Sequence, residues 1–328
     1  MCDFYVKIAD LTIDLKLINF KRKEEATKIA LFHLLSDFID KKDSLHGRIN
    51  IISTRRKRNI LEPEMKAFFE EYFDRILLRF PKTLWPKGEL KYHLHILSSY
   101  AHDERLMYLI NAVKEKEGRA YIIFCISGFF FLHNIKARES FVFLDITRYN
   151  ADFISIKILG LLRYAASLLH LDSGGLLLHA AAVNIGSKGY LFLGDTGSGK
   201  STILSLVPQN SVFGDETIVV RKRGDGYFMW PGPYGYFDSD GSFINNLSRR
   251  KVKVRKIFSL VKDNKTYTEH IATGHLVAET LYEHPFFARC LNRDLSTKMV
   301  DLLFDLFHSV PCYRLHFKKN REFLRYLV

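Results

Sequence analysis

Eight consecutive residues, Gly194-Asp195-Thr196-Gly197-Ser198-Gly199-Lys200-Ser201, limit what this chain can fold into more than any other feature. They fit the phosphate-loop pattern G-x-x-x-x-G-K-[ST] at every specified position. Such a loop has to join a buried strand to a helix. Tyr190-Leu191-Phe192-Leu193 before it is an apolar run of strand length, and Thr202-Ile203-Leu204-Ser205-Leu206-Val207 after it reads as a short helix that Pro208 stops. The glycines allow a tight turn whose N–H groups point inward at anionic oxygens. Lys200 brings a point charge for terminal phosphates, Ser201 a hydroxyl for a bound Mg2+, and the helix its positive end. A nucleotide such as ATP is thereby expected along this loop, with Thr202 opening the helix behind it.

The surroundings are unusual for such a loop. The common nucleotidases alternate strand and helix in parallel units. Here residues 176–183 read as one strand, Gly186-Ser187-Lys188-Gly189 as a tight turn, and Tyr190-Leu191-Phe192-Leu193 as its antiparallel return. Beyond the loop, Thr217-Ile218-Val219-Val220 and Tyr227-Phe228-Met229-Trp230 flank the turn Arg223-Gly224-Asp225-Gly226 as a second hairpin. An α/β fold is expected, with a mixed, largely antiparallel sheet around the loop.

A phosphate loop of this kind needs an acid to organise the metal. Asp215 and Glu216 follow Lys200 by 15 and 16 residues and end the short apolar run Val212-Phe213. An acid at a strand end can hold Mg2+ or take a proton from an incoming hydroxyl, although Gly214-Asp215 is also ordinary turn chemistry. Ser201, Asp215 and Glu216 are the candidate metal ligands, and Asp215 and Lys200 the candidate catalytic pair. His179 lies within Leu178-His179-Ala180-Ala181-Ala182-Val183. A polar ring in so apolar a run needs a partner. It is either a core histidine satisfied by a hydrogen bond or a group that approaches the phosphates.

Composition narrows the class. The 328 residues are 47% hydrophobic, enough to bury a substantial core and to argue against long disordered stretches. No apolar segment has the length of a membrane span, and no signal peptide is evident, so a cytoplasmic protein is expected. Cys2, Cys125, Cys290 and Cys312 are too scattered to suggest a disulfide framework or a zinc site. The formal charge of +13 makes nucleic acid a candidate partner, with basic clusters at 21–23, 55–58 and 249–256. No groove-reading or base-stacking motif accompanies the charge, and Lys251-Val252-Lys253-Val254-Arg255-Lys256 alternates like a strand with one wet face, which argues against it.

The first 150 residues are less explicit. Segment 11–20 reads as a strand, 24–38 and 63–80 have helical spacing, and 92–97 alternates like a strand. Residues 121–132, broken by Ser127 and Gly128, read as a core strand that forms a hairpin with 140–145. Residues 151–171 have the spacing of a long helix, ended by Asp172-Ser173-Gly174-Gly175. Two domains are expected: an α+β domain over 1–150, which would recognise a partner, and a nucleotide-binding domain over 151–328.

Together, Leu178-His179-Ala180-Ala181-Ala182-Val183, the glycine loop with its preceding strand, and Gly214-Asp215-Glu216 resemble the kinase domain of HPr kinase/phosphorylase, which shares its nucleotide-binding core with phosphoenolpyruvate carboxykinase. Arg255-Lys256-Ile257-Phe258-Ser259-Leu260-Val261 and Val310-Pro311-Cys312-Tyr313-Arg314-Leu315 resemble late strands of the same family, so that the likeness spans about residues 170–328. The resemblance implies ATP-dependent phosphorylation of a serine on a protein or peptide, with Asp215 as base or metal acid, His179 beside the loop, and assembly into a homo-oligomer. Thr202 stands where HPr kinases carry Glu, and Asp215-Glu216 where they carry Asp-Asp. The rival readings are a regulatory ATP-binding protein with little turnover and a nucleic-acid-binding ATPase.

Overall fold

The computed structural model describes residues 2–18, 24–35, 45–54, 121–126, 129–145, 151–232, 251–283 and 293–327. The expected helix over 63–80 and strand over 92–97 lie outside them, as do the basic clusters at 21–23 and 55–58.

The fold is mixed α/β, with two sheets and helices packed between and around them. In the first sheet, β1 (Cys2–Ile8) and β2 (Leu11–Ile18) form a hairpin turned at Ala9-Asp10. Helix α1 (Glu24–Leu35) carries the chain across to β3 (Leu45–Thr54), which lies parallel to β2. A parallel neighbour requires such a crossover. β4 (Tyr121–Ile126), β5 (Phe129–Asn134) and β6 (Glu139–Asp145) complete the order β1-β2-β3-β6-β5-β4. The run 121–132 is therefore not one strand. It folds back on itself with Ile126 opposite Phe129, and 139–145 is a third strand beside it. Ser127 and Gly128 stand in the sequence between the paired Ile126 and Phe129, and such a dipeptide marks a reversal that apolar periodicity does not show.

Helix α2 (Ala151–Asp172) links the sheets. Ile154, Ile158, Leu161, Leu162, Ala165 and Leu169 recur at helical spacing and are all buried. The helix packs on α1 and β3 on one side and on β7 (Gly175–Leu178) on the other. It ends where Ser173 N–H donates to Leu169 O at 3.1 Å and Gly174 takes φ +78°, a conformation open to glycine at no steric cost. A second tie between the sheets is ionic. Arg221 donates to both carboxylate oxygens of Asp10 at 2.6 and 2.7 Å, and Arg223 also pairs with Asp10. His170 lies beside Arg221 at 3.4 Å, and burial, reinforced by that guanidinium, pushes its imidazole down to about 3. It therefore stays neutral, which spares the interior an uncompensated cation beside the Arg221–Asp10 pair.

The second sheet holds β8 (Ala181–Ile185), β9 (Lys188–Leu193), β10 (Val212–Gly214), β11 (Ile218–Arg223), β12 (Gly226–Pro231) and β13 (Val252–Lys262), in the order β10-β8-β9-β13-β12-β11-β7. β14 (Tyr267–His270) and β15 (Cys312–Phe317) extend it from β13. Most pairs are antiparallel; β13 runs parallel to β9 and β15. Segment 176–183 is two strands rather than one. Leu178 pairs with Ile218 of β11, whereas Ala181 pairs with Phe192 of β9. Only His179 and Ala180 join them, a span of at most about 11 Å. On a flat sheet β7 and β8 would stand about 24 Å apart. β10 and β11 are likewise five places apart, yet only Asp215, Glu216 and Thr217 join them. Both short links require the sheet to curl until its ends adjoin, and they meet along the resulting seam.

The strands of this sheet bury both faces. Tyr190, Phe192, Phe258, Leu315 and Phe317 point to one side and pack with Ile203 and Leu204 of α3 (Lys200–Leu206) and with Phe323. Phe192 stacks on Phe258 with centroids 5.5 Å apart and meets Phe323 edge-on at 6.4 Å. Leu191, Leu193 and Ile257 point to the other side. There they join Leu276 and Val277 of α4 (Thr273–Glu283) and Leu303, Leu306 and Phe307 of α5 (Arg293–Ser309). No helix among the described residues is long and apolar enough to cross a membrane.

Candidate functional site

Register brings the candidate residues to one end of the second sheet. β8 is antiparallel to both β9 and β10, so its start lies beside their ends. His179-Ala180 before β8, Gly194 after β9 and Asp215-Glu216 after β10 are thereby neighbours. The glycine loop thus leaves the sheet at the carboxyl ends of parallel β9 and β13, where open α/β sheets ordinarily bind ligands.

The loop has the backbone that its sequence requires. Gly194, Gly197 and Gly199 take φ +148°, +86° and +110°, conformations that L side chains rarely adopt. Gly199 is doubly constrained, because a Cβ there would lie 2.5 Å from the Phe317 ring. Asp195, Thr196 and Gly197 form the exposed tip, and Ser198 N–H donates to Asp195 O at 3.0 Å. The Ser198 hydroxyl is buried and meets no partner among the described residues. Ser201 is exposed on the first turn of α3 and Thr202 half-buried behind it. Lys200 is buried, with Nζ donating to the Gly194 carbonyl and, at 3.2 Å, to that of Asp195. Its ammonium is held inside the curve of the loop.

Facing it is a compact set of ionisable groups. Burial pushes the Asp215 carboxyl above the usual carboxylate range, Glu216 adds to the rise, and the Glu216 N–H with the charges of Lys200 and His179 opposes it. Asp215 Oδ1 accepts that N–H at 2.8 Å. Glu216 is held low, first by its hydrogen bond with His179 and further by the charges of His179, Arg163 and Lys200. Nδ1 of His179 stands 3.2 Å from Glu216 Oε2 and 3.1 Å from the Glu216 carbonyl. His179 is thus neither inside a strand nor alone in the core. It occupies the link between β7 and β8 and faces Glu216.

Of the residues singled out in the sequence, Lys200, His179, Asp215 and Glu216 come within electrostatic reach of one another. Glu216 is engaged with His179, and Ser201 looks outward. Among the described residues no three His, Cys, Asp or Glu side chains cluster as a metal site. One participant was missed. Arg163 of α2 reaches in from the opposite layer, with Nη2 3.4 Å from the Glu216 carbonyl and 3.3 Å from His179 Nδ1. The signal was a single arginine in the apolar stretch Ile158-Leu159-Gly160-Leu161-Leu162-Arg163, where a charge needs a reason.

No family model and no curated protein matches this chain. Among solved structures, the Hpr(Ser) kinase/phosphatase from Coxiella burnetii aligns over 46% of this chain and 89% of its own, at 15% identity and a TM-score of 0.27.

Proposed function

We propose that this protein is an ATP-dependent serine kinase of HPr kinase-like type, acting on a protein or peptide. The observation that carries the reading is the meeting, at one sheet end, of the glycine loop and Lys200 with the buried Asp215 and with His179. The loop from Gly194 to Ser201 would hold the triphosphate. Its three left-handed glycines and the buried Ser198 hydroxyl fit a polar, anionic guest. Lys200 would exchange its bonds to the Gly194 and Asp195 carbonyls for phosphate oxygens. Mg2+ would neutralise phosphate charge, held by Ser201 and, through water, by Asp215, with Glu216 available only by giving up His179.

Phosphoryl transfer demands little covalent work from a protein; positioning and electrostatic stabilisation dominate. Asp215 suits the remaining proton transfer. Burial makes its carboxylate a stronger base than an exposed one, better matched to a serine hydroxyl. The acceptor serine would come from a partner that the residues 1–150 help to recognise, in a cytoplasmic setting and in a homo-oligomer. A regulatory ATP-binding role predicts binding without transfer, and a nucleic-acid-dependent ATPase predicts hydrolysis stimulated by DNA or RNA. Incubation with labelled ATP, Mg2+ and a pool of serine-bearing peptides separates them. Label on serine that vanishes in Lys200→Ala supports the kinase, and tight binding with no transfer to any peptide or lysate protein sinks it.

A further inference from the structure

Glu216 stands in an unusual backbone state. Its φ is +65°, in the left-handed region where a glutamate is strained. The twist lets the carbonyl and the carboxylate of one residue face the same atom, His179 Nδ1, at 3.1 and 3.2 Å. Both oxygens are acceptors. The third neighbour of that nitrogen is Arg163 Nη2 at 3.3 Å, a donor without accepting capacity. The same Nη2 also donates to the Glu216 carbonyl at 3.4 Å, so that Arg163 ties the twisted peptide to the ring.

From this geometry we infer that Glu216 is a positioning residue that acts through His179, not a metal ligand, and that Arg163 of α2 locks the arrangement. Around Nδ1 two acceptors at 3.1 and 3.2 Å outweigh one donor at 3.3 Å, which places the ring hydrogen there and makes Nε2 the accepting atom of the neutral imidazole. The logic is that of an orienting carboxylate behind a working histidine, where loss of the orienter typically costs 10- to 100-fold. Arg163 supplies from the helix layer what the strands cannot, a cation that fixes the twisted peptide. The role of the pair in turnover rests on the kinase reading; its tautomer does not.

The test uses the full chain and two independent readouts. Ring-nitrogen NMR without nucleotide should show neutral His179 protonated on Nδ1; a proton on Nε2 overturns the inference whatever the enzyme does. Transfer from Mg·ATP to the peptide pool is then followed for Glu216→Gln, for His179→Ala and for both together. Glu216→Gln should lower kcat about 10-fold, leave the Mg2+ half-saturation unchanged, and change kcat less than about twofold when His179 is already alanine. An equal loss in both backgrounds, with a raised Mg2+ half-saturation, would make Glu216 a metal ligand and overturn the positioning role. If Nδ1 carries the proton but no variant and no wild-type sample transfers phosphate, the kinase reading fails while the oriented histidine stands.

Discussion

His179 and His316 both lie against acidic groups in the second sheet and are about equally exposed, at 16% and 14%, yet what surrounds each pair differs. His316 on β15 spends both ring nitrogens on carboxylates, Asp263 at 3.0 Å and Glu269 at 3.4 Å, and stacks on Tyr267 with centroids 4.2 Å apart. Its partners stand at the watery edge formed by β14, where such pairs contribute little. His179 presents one nitrogen to two oxygens of a single residue, and that residue holds a strained backbone to do so. Around it lie a buried acid, a buried lysine and a glycine loop. A histidine between acids is therefore no sign of a site by itself. Backbone strain at Glu216, and the buried Asp215 and Lys200 beside a glycine loop, make the difference.

Lys200→Ala should cost the most, about 10³-fold in phosphoryl transfer, or about 4 kcal/mol of transition-state stabilisation, measured as kcat/KM with Mg·ATP. Phe192→Ala strikes the apolar layer shared by Phe317, which walls Gly199, and by Phe258 and Phe323. It should destabilise the fold by about 3 kcal/mol in denaturant titration, because a buried ring leaves a cavity.

Asp215→Asn separates function from stability. It should lower transfer about 10²-fold and yet stabilise the protein by about 1 kcal/mol at neutral pH, since it removes a buried charge and keeps the oxygen that accepts the Glu216 N–H. The folded-state pKa of Asp215 is raised, so the native state binds its proton more tightly than the unfolded chain. Its charge therefore subtracts stability above that folded value, and the penalty fades as pH falls through it into the ordinary aspartate range. The gain from Asp215→Asn should shrink along the same path. Glu216 acts in the opposite sense: its lowered pKa contributes stability at neutral pH that is lost as acid protonates it. A variant gain that grew on acidification would contradict the burial of Asp215. Last and smallest, Glu269→Gln should leave transfer unchanged and move the unfolding midpoint by no more than about 1 °C. The same substitution at Glu216 should cost transfer about 10-fold.

Much of the second sheet was legible because its signals are local. The strand, glycine loop and helix around Lys200, the hairpin turned at Gly186-Ser187 and the hairpin at Gly224-Asp225 each carry their own turn chemistry. The break at His179-Ala180 was not legible. Leu176 to Val183 is apolar or small at every other position, and nothing local says that its halves pair with strands distant in sequence. The curl of the sheet follows from that break, and so the seam was hidden with it. Arg163 and the Asp10–Arg221 tie were hidden for the same reason, as contacts across 53 and 211 residues leave no periodic trace. The setting of Glu216 was hidden by its neighbour: beside Asp215 it reads as one of an acidic pair, and its positive φ and the facing imidazole come only with the fold.

The most direct measurement supplies ATP labelled at the γ-phosphate in one reaction and at the α-phosphate in another, with Mg2+ and the serine-bearing peptide pool, followed by phosphoamino-acid analysis. The account predicts label on serine from γ-labelled ATP alone, lost in Lys200→Ala and lowered in Asp215→Asn. Label from the α-position, or γ-label that persists when Lys200 is removed, would contradict it.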